Sequence, residues 1–171
     1  SFYDGYNVLI RKNSDYNGKW TIYSFNAPEK QFELKQIQTK FPRKQIKTGY
    51  DANKFIRQFY CNDIEIYESF FILLLNTAHH TIGYAKISQG GVAGTVVDAK
   101  LIAKYAVEAI ASSVILAHNH PSGNLTASKH DKEITVKITK GLELLDIKVL
   151  DHIILSPYNE DYLSMKQLNL F

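Results

Sequence analysis

Apolar side chains fall at every second position through Ile64, Ile66, Phe70, Ile72 and Leu74, which predicts a long strand over 64–75. A second strand over 82–88 follows, joined to the first by a hairpin through 76–81. Leu101, Ile102, Tyr105, Ala106 and Ala109 recur at helical spacing and predict a helix over 98–111. The short apolar run 113–117 is strand-sized. Ile134, Ile138, Leu142 and Leu145 then mark one face of a helix that Ser128 opens. A last long strand covers 147–155. Strands interleaved with covering helices imply an α/β layered domain with a mixed sheet.

The first third reads differently. Residues 7–11 and 19–25 predict two strands around a turn-rich 13–18, and 32–37 a third. A helix is expected over 51–60, with Phe55, Ile56 and Phe59 on one face. We divide the chain into an N-terminal β-rich extension, 1–47, and a main domain, 48–171. Charge follows a similar division. Residues 1–60 carry 11 Lys and Arg against 5 Asp and Glu, whereas 61–171 carry 9 against 12. The basic third is also aromatic, a combination that suits weak nucleic-acid binding. The plainer account is a small packed sheet with solvated lysine rims. Only Arg43, Lys44 and Lys47 form a dense group.

Composition narrows the classes. The 171 residues, 45% of them hydrophobic, are enough for one domain with a real core and a small appendage. No apolar stretch reaches membrane-span length. The start at Ser1 carries no secretory pattern and suits a trimmed or excised piece. A single cysteine, Cys61, excludes an intrachain disulfide and fits a reducing cytoplasm. It equally excludes a zinc ribbon or a deaminase site, both of which need paired cysteines.

The chemistry concentrates at 118–131. If 114–117 is a strand, His118 and His120 stand two residues apart and point to one face. Pro121, Ser122 and Gly123 turn the chain, and the return leg brings Asp131 within reach as a third ligand. Two His and one Asp with an open fourth position make a catalytic zinc site. The plainer reading gives Ser128 and Asp131 a helix capping box, and the two readings are compatible. Glu68 shares its strand face with Phe70 and Ile72, where a buried carboxylate needs a partner or a task. Burial would raise its pKa, as suits a general base, and Glu65 on the opposite face is the natural control. Of Asp151 and His152 at most one can face such a site. His152 is better read as a brace than as a fourth ligand. His79, His80 and His130 are assigned no role.

The string HNHPSG (His118 to Gly123) with Leu144-Leu145 and 151–155 resembles the RadC family, a bacterial branch of the JAMM (JAB/MPN) metalloproteins. The likeness runs from about 63 to 164. The JAMM pattern is a distant Glu, an H-x-H pair and a downstream Ser-x-x-Asp, matched here by Glu68, His118, His120, Ser128 and Asp131. Where RadC proteins usually carry an Arg before the preceding helix, this chain reads Val96-Val97-Asp98-Ala99-Lys100. The helix-hairpin-helix region that often precedes the domain is not visible.

The resemblance implies a three-layer αβα, JAB/MPN-like (cytidine-deaminase-like) domain. It implies one Zn2+ held by His118, His120 and Asp131, with Glu68 as base and Ser128 stabilising an oxyanion. JAMM enzymes cleave peptide or isopeptide bonds, so the expected partner is a peptide or protein substrate. RadC proteins carry a traditional association with DNA repair. Two alternatives follow: a nucleic-acid-binding accessory module and a metal-dependent nuclease. The nuclease usually needs more carboxylates than this motif offers.

Overall fold

The computed structural model describes residues 8–12, 20–24, 39–90 and 96–171. The chain divides into two compact units, Ser1–Ile37 and Gln38–Phe171. In the first, β1 (Val8–Lys12) and β2 (Trp20–Ser24) pair antiparallel. The third strand expected over 32–37 lies outside the described residues.

The second unit begins with α1 (Gly49–Ile56), extended by a 3₁₀ turn, Arg57–Phe59. Thr48 and Asp51 close a reciprocal capping box that fixes its start. Then come β3 (Ser69–Leu75), β4 (Thr81–Gln89), α2 (Ala99–Glu108) and β5 (Ser113–Asn119). The chain ends with α3 (Lys129–Glu143), β6 (Lys148–Leu155) and a short β7 (Tyr162–Ser164). The five strands lie in the order β4-β3-β5-β6-β7. Only β5 and β6 are parallel, with α3 as their crossover, so the sheet is mixed.

Residue parity builds three layers. Phe70, Ile72 and Leu74 of β3 and Val114 and Leu116 of β5 pack with Ile102 and Ala106 of α2 and Ile138 and Leu142 of α3. Phe71, Leu73 and Leu75 with Ile115 and Ala117 pack on the other face against Ala52, Phe55 and Ile56 of α1. This is an α/β domain with helices on both faces of the sheet. The central strands β3 and β5 are buried along their whole length, which accounts for their near-continuous apolar runs. Ile46 belongs to the α1-side core, and its N–H donates to the His79 carbonyl at 2.9 Å. Residues 44–46 are therefore part of this unit.

Two departures from the sequence reading bear on the site. The long strand expected from residue 64 starts only at Ser69, because 62–66 are turns. The Asp63 carbonyl accepts from both Ile66 and Tyr67 N–H at 2.9 and 3.0 Å, which curls the backbone out of the ladder. Ile66 and Tyr67 are accordingly 53% and 41% exposed rather than packed. The second departure is a bulge in β6. Val114 pairs with Val149 but Ile115 with Asp151, so Leu150 has no partner on β5. Val149 lies on the α2–α3 face and Leu150 on the α1 face. The extra residue reverses the alternation beyond it and turns His152 toward α3.

Candidate metal centre

β5 delivers His118 at its end with the parity of Leu116, so the imidazole faces α3 and stacks on Phe70, ring centroids 5.9 Å apart and planes within 7°. His120 follows just past the strand, its N–H still donating to the Leu155 carbonyl of β6 at 3.1 Å. The chain then reverses through Pro121-Ser122-Gly123. Gly123 has φ +75°, and a Cβ there would stand 2.8 Å from the Tyr158 ring, so both conformation and space demand glycine. The Tyr158 hydroxyl donates to the Pro121 carbonyl at 3.1 Å and holds the turn.

The return leg enters α3 through Ser128. The Asp131 N–H donates to Ser128 Oγ at 3.1 Å, and the Ser128 N–H to Asp131 Oδ2 at 2.7 Å. Asp131 Oδ1 faces His118 Nε2 at 3.3 Å, and Oδ2 lies 3.7 Å from His120 Nε2. One carboxylate thus caps the helix and also joins the cluster. Ligand atoms of His118, His120 and Asp131 all lie within 4.8 Å of one another.

The hydrogen-bond partners fix which ring nitrogens carry protons. His120 Nδ1 lies 2.6 Å from the Asn124 carbonyl, which can only accept. With one proton on the ring, His120 Nε2 is a bare lone pair. For His118 the logic starts at α3. The Thr135 hydroxyl donates to the Asp131 carbonyl one turn back, so its oxygen accepts from His152 Nδ1, 2.6 Å away. His152 Nε2 is then bare and accepts from His118 Nδ1–H at 2.7 Å. That leaves His118 Nε2 bare as well. Two nitrogen lone pairs 2.9 Å apart repel unless a cation lies against both. A carboxylate joins them on the same side.

The separations suit a metal ion. Ligand atoms about 2.0 Å from a tetrahedral ion stand roughly 3.3 Å from one another. Here the two Nε2 atoms are 2.9 Å apart, Asp131 Oδ1 is 3.3 Å from His118 Nε2, and the other carboxylate oxygen, Oδ2, is 3.7 Å from His120 Nε2. The field points the same way. Burial works to raise the Asp131 pKa, but when protons and not a metal sit on the facing imidazole nitrogens, the hydrogen bonds and charge that His118 and His120 then supply, with the Ser128 hydrogen bond, outweigh it. The carboxyl is held well below the usual range. Burial works to lower the His120 pKa, but Asp131, the Asn124 carbonyl and the Glu68 charge raise it. His152, fully buried, is pushed well below the ordinary histidine value chiefly by desolvation, and stays neutral.

The other expected site residues are placed as follows. Ser128 is exposed at the helix cap, and among the described residues its hydroxyl proton has no acceptor. Glu68 is half-buried in the connection just before β3 rather than within a strand. Among the described residues its carboxylate has no hydrogen-bond or ion-pair partner, and its charge is felt at His120. Sequence patterning missed Thr135 altogether. A buried Thr on the ligand-bearing helix, four residues after Asp131, was the available signal.

A profile of the RadC-like JAB domain matches residues 46–170. This chain belongs to the RadC-like JAB family. Among curated relatives of this RadC-like chain, a UPF0758 protein of Flavobacterium johnsoniae is 48% identical over 90 residues, 53% of this chain and 39% of the relative. A UPF0758 protein of Finegoldia magna is 40% identical over 114 residues, 66% of this chain and 50% of the relative. The UPF0758 protein YfjY of Escherichia coli is 41% identical over 87 residues, 51% of this chain and 54% of the relative. The RadC-like chain thus spans about half the length of these relatives. The JAB fold fits a hydrolase, and the His-His-Asp group is able to hold a metal ion. No helix among the described residues is long and apolar enough to cross a membrane.

Proposed function

We propose that this domain is a zinc-dependent hydrolase of the JAMM type that cleaves a peptide or isopeptide bond. One observation carries the reading: two proton-free imidazole nitrogens and a carboxylate converge on one point, and two imidazoles with one carboxylate are a donor set that zinc favours. Bound there, zinc supplies Lewis acidity and a water of lowered pKa.

The remaining work falls to the protein. Glu68, without a hydrogen-bond or ion-pair partner among the described residues and within electrostatic reach of His120, accepts the proton of the attacking water. It returns that proton to the departing amine nitrogen. The Ser128 oxygen is occupied as a cap acceptor, but its O–H remains to donate to the developing oxyanion. His152 and Thr135 hold His118 in the tautomer that presents Nε2.

The test is a zinc-loaded comparison of Glu68→Gln and Glu65→Gln against an internally quenched peptide library. Glu68→Gln is expected to keep the metal and lose hydrolysis, whereas Glu65, exposed in the preceding turn, changes little. Equal loss in both variants sinks the assignment of the base.

A further inference from the structure

Asn119 sits between the two histidines but has the opposite parity. His118 faces α3; Asn119 follows Ile115 and Ala117 to the α1 side, where it is fully buried. Its amide is completely used. Oδ1 accepts from the Ser69 N–H at 2.9 Å, and Nδ2 donates to the carbonyls of Ile64 at 2.7 Å and Tyr67 at 2.8 Å. These three groups bracket Glu68 in sequence. The two carbonyls belong to the connection 61–68, which has left the sheet ladder and would otherwise leave them unpaired at a part-buried position, and the N–H is that of the first residue of β3.

The far side of Ser69 is held too. Its carbonyl accepts from the Tyr60 hydroxyl at 3.0 Å, and the Gly90 N–H donates to the Glu68 carbonyl at 2.9 Å. No other side chain, among the described residues, ties this connection to β5. The strand that carries His118 and leads directly into His120 therefore fixes the backbone on either side of Glu68 through one amide.

We infer that Asn119 is a positioning residue: it holds the Glu68 connection in register with the metal-ligand strand, and so sets where the base stands relative to the ligands. The kinetic part of this inference rests on the hydrolase reading of Glu68; the structural part does not. A misplacement on the order of 1 Å costs about 100-fold in rate. Loss of Asn119 should therefore lower kcat far more than it changes KM.

The experiment uses the full chain. Cys61, the one cysteine and exposed at the start of the connection, carries a nitroxide label without further engineering. Two variants are compared with the parent: Asn119→Ala, which removes all three bonds, and Asn119→Asp, which keeps an acceptor for Ser69 but loses both donors. Co2+ is the metal probe, and the quenched peptide library reports turnover. We expect the label to become more mobile in both variants. We expect Co2+ affinity to stay within about threefold, against the 10–100-fold cost of disturbing a ligand's support. We expect kcat to fall by about 100-fold with little change in KM, and Glu68→Gln/Asn119→Ala to be no slower than Glu68→Gln alone.

Unchanged label mobility in both variants overturns the inference, as does a looser label with unchanged kcat. Parallel loss of Co2+ also overturns it, because Asn119 would then support the ligands themselves. A parent chain that hydrolyses nothing, with the label loosened and Co2+ retained in the variants, upholds the clamp and sinks the hydrolase reading instead.

Discussion

Thr135→Val removes one oxygen from the fully buried helix face behind the metal ligands and leaves shape and volume almost unchanged. The hydroxyl is the only acceptor offered to His152 Nδ1 among the described residues, at 2.6 Å. Without it, His152 either buries an unpaired N–H or moves its proton to Nε2, where it meets the His118 Nδ1–H head-on. Relief then requires His118 to protonate Nε2, which blocks the lone pair that faces His120 and Asp131. An unsatisfied buried donor costs about 1–3 kcal/mol. The loss should appear in either of two measurements: lower stability of the metal-free protein in urea, or weaker Zn2+ binding in a chelator competition. Placed entirely on the metal, the same free energy weakens affinity by about 5–150-fold, since 1.4 kcal/mol is tenfold. Thr139→Val is the control: its hydroxyl bonds only the Thr135 carbonyl, at 2.8 Å, and its loss should cost less than about 0.5 kcal/mol. Thr135→Ser should restore both properties. A Thr135→Val protein as stable and as zinc-avid as its parent would refute the assigned tautomers.

Further tests address the cluster, the pH response and the basic patch. Purified protein should hold about one zinc per chain by metal analysis. His120→Ala or Asp131→Ala should empty the site, and full occupancy in His118→Ala/His120→Ala would disprove the ligand set. His152 is neutral when folded, and its pKa is depressed, so below about pH 6.5 the unfolded chain binds a proton that the folded chain refuses. Stability of the metal-free protein should therefore fall as pH drops below that value, and His152→Gln should flatten this limb in urea titrations at several pH values. An identical pH slope in the variant would remove His152 as its source. Nucleic-acid binding, if measured, should be weak and steeply salt-dependent. Lys44 already lies 4.0 Å from Asp51, and the exposed Arg43 and Lys47 leave only about two or three phosphates to neutralise. Tight binding that survives charge reversal of Arg43, Lys44 and Lys47 together would contradict this.

Features that depend on spacing alone were legible in the sequence. The two-residue interval of His118 and His120 gave their common face, and Ser128 three before Asp131 gave the capping box. The layered arrangement followed from alternating periods. Features that depend on polar bonds from distant residues were not. Ile64, Ile66 and Glu68 alternate like a strand, yet Asp63 and Asn119 take up the backbone groups that a ladder would have used. Counting only apolar residues placed Leu145 on the buried face of α3, but the helix ends at Glu143 and Leu145 is 48% exposed in the turn beyond. The buried positions on that helix are Asp131, Thr135, Ile138 and Leu142, two of them polar because they serve the cluster. Strand β7 has only three residues, too few to show a period.

The unpaired Leu150 makes the site depend on the register of β6 against β5. Closing the bulge, so that Leu150 paired with Ile115 and every later residue moved along by one, would exchange the destinations of the next two side chains. Asp151 would arrive at His118 Nδ1, while the imidazole would swing to the side where Ser164 Oγ now donates to Asp151 at 2.6 Å. An acidic group behind His118 would tighten its proton and add negative charge beside the ligands. An imidazole on the opposite side would lose the bonds from Ser164 and the Lys166 N–H that anchor the terminal hairpin. The surface turn 156–161, by contrast, can gain or lose a residue without shifting any strand's phase. The Asp-His dipeptide is thus a frame-dependent signal, whose meaning rests on the single uncounted residue before it.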